Sequence, residues 1–273
     1  MKFLFTICLL LISLAVVARA QPSERPTLLS RAQRIEAERG LSNLGYWTGP
    51  VDGVIDQATR AALISFQKWE GRTISGEFTR DELEAIRTAP RPKARETGYE
   101  HVEVDLDRQV LLMVKEDGSV RVLPVSTGND KPFDDEGQTS IAYTPRGRFI
   151  VYEKVAGWEK GMLGSMYYSN YISGGVAIHG SPNVPNQPGS HGCIRVPMFA
   201  ARELSRMLPV GMIVLVYDKI SFVSAKSWVD NPKLKQAVLS RSTETDYTYI
   251  RDENRNNSKP AVIKQTRPRI VRA

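Results

Sequence analysis

The sequence predicts a two-domain protein: an N-terminal all-α module of three helices, then a mainly-β sandwich or barrel that carries one helix. Three observations predict it. Apolar residues recur at helical spacing between about residues 30 and 89, a Pro- and charge-rich stretch follows at 90–97, and from residue 98 to 218 the period becomes that of short strands. Composition is ordinary for a globular protein, 41% hydrophobic and 25% charged. The formal net charge is +7, and twelve Lys/Arg against five Asp/Glu between Lys219 and Ala273 account for all of it. The remainder is close to neutral, which speaks against a large basic nucleic-acid groove in the folded part.

In chain order, Lys2 precedes an apolar run from Phe3 to Val17 that ends in Ala18-Arg19-Ala20. The run is short for a membrane span, and its small-residue end reads as the cleavage site of a signal peptide over 1–20. A mature start at Gln21 and export to the periplasm or cell wall are expected. If Cys8 leaves with that segment, Cys193 has no intramolecular partner, and an odd cysteine in an exported protein points to a reactive thiol or an intermolecular bond.

The helical module starts with Ala37, Leu41 and Leu44 at helical spacing, stopped by Gly45; Gly40 inside that helix costs about 1 kcal/mol relative to alanine. Gly49-Pro50-Val51-Asp52-Gly53 is a turn, after which Asp56 can cap a helix whose inward face is Thr59, Ala62, Leu63 and Phe66. Thr79 and Glu82 make a capping box for a third helix with Leu83 and Ile86 inward. Val51/Ile74, Gly53/Gly76, Ile55/Phe78, Asp56/Thr79 and Leu63/Ile86 correspond at an offset of 23, a small pseudo-repeat. Residues 90–97 read as a linker. The predicted strands are His101–Leu106, Val110–Val114, Val120–Val125, Arg148–Tyr152 and Ile213–Tyr217, and a helix from Met198 to Leu208 follows Pro197. In the tail from Lys219, Trp228, Leu234, Val238 and Leu239 suggest a short helix. Thr243 to Ala273 reads as a solvated, disordered tail, or as an electrostatic attachment to anionic wall polymer or a membrane surface.

The chemistry concentrates in Ile178-His179-Gly180-Ser181 and Ser190-His191-Gly192-Cys193-Ile194-Arg195-Val196. Cys193 lies fourteen positions after His179 across a Pro/Asn/Gly-rich segment, so a loop can return the imidazole to the thiol. A thiol beside a histidine is the minimal kit for a cysteine nucleophile. Gly180 and Gly192 allow positive φ or close approach to a ligand, suited to main-chain oxyanion donors. His179, His191 and Cys193 could instead ligate zinc. The His-x-Cys spacing and the lack of a His-Glu or Cys-x-x-Cys element weigh against that, so neither metal nor cofactor is expected.

Two resemblances sharpen this. Leu44 to Gly53, with Thr59-Arg60-Ala61-Ala62-Leu63 and Phe66-Gln67, resembles the peptidoglycan-binding domain found at the ends of cell-wall enzymes; the alternative for Tyr46 and Trp47 is plain core packing. From Asp105-Leu106-Asp107-Arg108-Gln109 through Val125-Ser126-Thr127-Gly128, Thr144-Pro145-Arg146-Gly147 and Gly174-Gly175 to the His179 and Cys193 motifs, the second half resembles the YkuD-type L,D-transpeptidase catalytic domain. That resemblance implies a β-sandwich with Cys193 as nucleophile, His179 as general base and Gly180 orienting it through its carbonyl. It makes the N–H groups of Gly192 and Cys193 the oxyanion hole. Ser190, His191 and Arg195 are implied at the substrate or shaping its pocket, and Tyr171, in the aromatic stretch from Met166, either floors the donor site or packs as core. The implied reaction expels D-Ala from a peptidoglycan tetrapeptide stem through a cysteine thioester, which a second stem's amine resolves to a crosslink. Resolution by water would make an L,D-carboxypeptidase, and a decayed site would leave a non-catalytic wall-binding protein. Peptidoglycan stems are the expected partners of a monomer.

Overall fold

The computed structural model describes residues 29–220 except 136 and 162. The apolar start, Gln21, Cys8 and the tail from 221 lie outside the described residues. Three helices come first: α1 (Arg31–Leu44), α2 (Gln57–Trp69) and α3 (Arg80–Thr88). Ser30, Asp56 and Thr79 cap them, each side chain accepting a backbone N–H three residues on. Ser30 and Gln33 complete a capping box on α1. At Thr79 the backbone N–H of Glu82 is bound as expected, but the Glu82 carboxylate turns to Arg72 at 3.1 Å, so that box is only half made.

The pseudo-repeat is visible in three dimensions. Gly53 and Gly76 both have positive φ, Asp56 and Thr79 are both caps, and Leu63 and Ile86 are both buried. The N–H of Gly53 is held by Glu38 of α1, and that of Gly76 by Gln67 of α2. Each copy is therefore a helix followed by the turn it grips. Gly40 is required by packing, since a Cβ there would lie 2.5 Å from Cγ2 of Ile86 on α3.

The second half is a sandwich. One sheet has the order β3 (Val120–Pro124), β2 (Val110–Val114), β1 (His101–Asp105), β11 (Ile213–Tyr217), β6 (Gly147–Ile150). The other has the order β10 (Ile194–Pro197), β9 (Val176–Ser181), β8 (Gly164–Ser173), β7 (Glu153–Gly161). A separate hairpin pairs β4 (Pro132–Asp135) with β5 (Gln138–Ile141). The helix α4 (Met198–Met207) packs on β8, β9 and β10, with Pro197 at its cap position. Its Ala200, Ala201 and Leu204 join Val102, Val104, Leu111, Leu123, Ile178, Ile194, Val196, Val214 and Val216 in one core.

Strand β2 explains how the halves meet. Alternate residues of a strand face opposite sides. Leu111 and Met113 enter the sandwich core, whereas Val110, Leu112 and Val114, with Val122 of β3, enter a second core with Leu41, Tyr46, Leu63, Phe66, Leu83 and Ile86 of the helical module. Tyr46 extends the sheet edge: Trp47 N donates to Val122 O and Val122 N to Gly45 O, at 3.0 and 2.8 Å. Tyr46 and Trp47 are thus core residues. The stretch 90–97, expected as a free linker, is tied down. Glu103, fully buried, accepts the N–H groups of Arg95 and Glu96 and the Tyr217 hydroxyl, and its other neighbour is His101 at 3.1 Å. Among the described residues no helix is long and apolar enough to cross a membrane.

Candidate active site

The site is built on two parallel neighbours, β9 and β10, with Ile178 opposite Ile194 and His179 opposite Arg195. Ile178, Ile194 and Val196 are in the core, so the alternating positions His179 and Arg195 turn to the other face. Cys193 stands one step before β10, beside Ala177, and continues that alternation. On the next strand Tyr171 is opposite Ala177, so Tyr171, Ala177 and Cys193 form a row across three strands. One face thereby gathers thiol, imidazole, guanidinium and phenol.

His179 is 5% exposed and its Nδ1 lies 2.9 Å from Gly180 O. A carbonyl only accepts, so Nδ1 carries the proton and Nε2 is left as the basic nitrogen. Burial pulls the imidazole below its ordinary value, partly opposed by that hydrogen bond, helped by the positive charge of Arg195 and opposed by Glu159. Burial also pushes the Cys193 thiol up, opposed by the Ala177 N–H and Arg195 and reinforced by Glu159. The resting pair is therefore a neutral thiol and a neutral imidazole. The thiol donates to Gly175 O at 3.6 Å.

A network that reaches beyond the predicted residues fixes the nucleophile turn. Gly189 and Ser190 donate their N–H groups to Thr127 O, and Ser126 and Arg195 exchange both backbone hydrogen bonds. Thr144 Oγ1 donates to Gly192 O at 2.7 Å and accepts from Gly128 N at 2.9 Å. Thr127 is held in turn by Gln109, whose side chain accepts Thr127 N and donates to Thr127 Oγ1. Gln109 O and Val125 O accept from the buried Nζ of Lys68 on α2. Thr127, Thr144 and Gln109 stand inside the resembling motifs, yet nothing in their sequence spacing shows which turn they hold.

Three expectations change. Ser190, expected at the substrate, is 2% exposed; its Oγ accepts Gly192 N at 3.0 Å and donates to Cys193 O at 2.5 Å, so it shapes the turn. Gly192 N–H is consequently engaged, not a free oxyanion donor. The glycines are also required by the protein's own packing: a Cβ on Gly192, at φ +143°, would lie 2.8 Å from Tyr143 O, and one on Gly180 would lie 2.5 Å from Cβ of Ala201 on α4. His191 is exposed, its ring 4.5 Å from that of Phe133 on the β4–β5 hairpin. Arg195 donates to Gly189 O at 3.1 Å. Tyr171 donates its hydroxyl to Glu159 Oε1 at 3.0 Å, and Glu159 is a residue the sequence reading missed. Among the described residues no group of three or more His, Cys, Asp or Glu could hold a metal ion.

Residues 99–216 match the model of the L,D-transpeptidase catalytic domain (YkuD). A solved L,D-transpeptidase from Xylanimonas cellulosilytica is 36% identical, covering 71% of this chain and 96% of its own, with a TM-score of 0.65. The chain belongs to the L,D-transpeptidase family. Its helical module, residues 30–86, matches the model of a putative peptidoglycan binding domain. Two further solved L,D-transpeptidases are less similar to this chain. The catalytic domain from Enterococcus faecium is 27% identical over 45% of this chain and 100% of its own, with a TM-score of 0.36. The one from Mycobacterium smegmatis is 23% identical over 43% and 58%, with a TM-score of 0.37. The comparison with curated proteins returned no match. Within the L,D-transpeptidase domain, Cys193 and His179 both lie in the matched segment.

Proposed function

We propose that this transpeptidase joins peptidoglycan stems through an acyl-enzyme on Cys193. The observation that carries it is the shared face of β9 and β10, where an imidazole locked by Gly180 O stands on β9 and the thiol one step before the parallel strand β10. With both groups neutral at rest, the proton must move as the bond forms: Nε2 of His179 takes the thiol proton while Sγ adds to the carbonyl carbon after the diamino acid. The C–N bond then breaks, the imidazolium returns its proton to the amine of D-Ala, and a thioester remains. The Cys193 N–H is the oxyanion donor in this reading, because Gly192 N–H is bound to Ser190. An amine of a second stem resolves the thioester and restores the thiol. The helical module supplies wall contact, and the reaction lies outside the cytoplasmic membrane, where peptidoglycan is.

Incubating the protein with disaccharide-tetrapeptide, with products read by mass, tests this. D-Ala release and a crosslinked dimer are expected, with a carbapenem adding one drug mass to the wild type and none to Cys193→Ala. Dimer formation by Cys193→Ala would overturn the reading.

A further inference from the structure

The β7–β8 hairpin carries a carboxylate that the reaction just described does not use. Glu159 sits on β7, half-buried, and among the described residues no cation lies within ion-pair distance of it. Its one hydrogen-bond partner there is the Tyr171 hydroxyl, 3.0 Å from Oε1. Tyr171 heads the row that runs through Ala177 to Cys193, so this bond holds the carboxylate over the reacting face. The negative charge acts on both members of the pair, opposing the fall of His179 and adding to the rise of Cys193. Arg195 acts on the same two groups with the opposite sign. The site therefore presents one anion and one cation to whatever lies between them.

An uncompensated, half-buried carboxylate facing a thioester has an obvious complement in an ammonium group. Resting on the transpeptidase reading above, we propose that Glu159 is the acceptor-specificity residue, binding the side-chain ammonium of the second stem's diamino acid beside the thioester, with Tyr171 fixing the carboxylate. The docked ammonium gives one proton to Nε2 of His179, and the free amine adds to the thioester carbonyl carbon. The C–S bond breaks, the second amine proton goes to Sγ, and the imidazolium releases its proton to water. One amide forms, one thioester is lost and the thiol is regenerated. Hydrolysis offers Glu159 no cation to bind, so this residue biases the enzyme towards crosslinking.

The experiment follows both half-reactions of the full protein with disaccharide-tetrapeptide, comparing wild type with Glu159→Gln and Glu159→Lys. D-Ala release in a single turnover reads acylation; the ratio of dimer to hydrolysed tripeptide stem against acceptor concentration reads resolution. Hydroxylamine, uncharged at neutral pH, serves as an acceptor that Glu159 should ignore. The acceptor KM should rise at least about tenfold in Glu159→Gln, the scale of one charge-assisted hydrogen bond and a larger factor than any change in single-turnover D-Ala release. Glu159→Lys should lose more, and in both variants hydroxylamine turnover should change by no more than D-Ala release does. A wild type that crosslinks while Glu159→Gln keeps its acceptor KM overturns this proposal alone. Equal losses in acylation and in acceptor use would assign Glu159 to the donor side and overturn it too. A wild type that only hydrolyses would overturn both this proposal and the transpeptidase reading.

Discussion

Lys68 provides a test of how the helical module is fastened to the sandwich. Its ammonium is buried between α2 and the strand ends, 6% exposed, and it donates to two carbonyls, Gln109 O at 3.2 Å and Val125 O at 3.1 Å. No carboxylate pairs with it among the described residues, and burial brings its pKa from 10.5 down to about 8. A folded-state pKa below the unfolded one means that the unfolded chain binds more protons between about pH 8 and 10.5, so stability contributed by this group rises with pH through that window. Below it the full penalty stands, about 3 kcal/mol for a shift of this size. Raising the pH from 7 to 9.5 relieves about 2 kcal/mol of that penalty. Burial raises Tyr46 and Tyr217 as well, but those groups oppose only above about pH 10, where the unfolded tyrosines ionise. Urea denaturation of the wild type and of Lys68→Met at pH 7 and 9.5 isolates the effect. The wild type should gain about 2 kcal/mol on the variant over that interval, and parallel pH dependences of the two proteins would refute the reasoning.

Three further outcomes concern the nucleophile and its base. Gly192→Ala must place a Cβ 2.8 Å from Tyr143 O at φ +143°, so it should cost about 1–3 kcal/mol in thermal or urea stability and slow carbapenem acylation at least about tenfold; an unaltered acylation rate would show that the turn tolerates the shift. Because burial raises Cys193 and lowers His179, wild-type alkylation by iodoacetamide should keep climbing with pH past the ordinary thiol range before it levels off. His179→Ala should also slow acylation by stem peptide about a hundredfold or more, with a smaller loss for His191→Ala; a thiolate titrating near pH 6 would refute the neutral pair.

Where a pattern is local, the sequence carried it. Thr59, Ala62, Leu63 and Phe66 follow the helical period because one face of α2 is buried, and all four are core. The run Val110–Val114 is apolar without alternation because both faces of β2 are covered, which a one-residue pattern can show only as an apolar strand. Strand β7 escaped notice for the opposite reason. Glu153 to Gly161 carries charges, Trp158 is 57% exposed, and a register shift between Val155 and Trp158 breaks the period, so nothing in that stretch marks a strand. Glu159 was lost with it, since its position over the catalytic row depends on a pairing between strands. The Cys193 and His179 motifs could be read because their residue types are rare and chemically loaded. The Thr127, Thr144 and Ser190 hydroxyls could not, because a hydroxyl's role is set by the carbonyl it meets.

The same distinction decides how the two halves relate. A Pro- and charge-rich stretch between two periodic regions is the usual mark of separable domains, and 90–97 has that composition. Yet Val110, Leu112, Val114 and Val122 form the floor of the helical module's core, and Tyr46 extends the sheet beside β3. Cutting the chain near Thr97 would uncover those four side chains and leave Gln109 O and Val125 O without the Lys68 ammonium. The effect would travel further, because Gln109 orients Thr127, Thr127 O receives Gly189 and Ser190, and Ser190 braces Cys193. Each link is a single hydrogen bond or a bonded pair, and together they run from α2 to the nucleophile. The helical module is therefore part of what shapes the Cys193 turn, and the two halves make one folded unit.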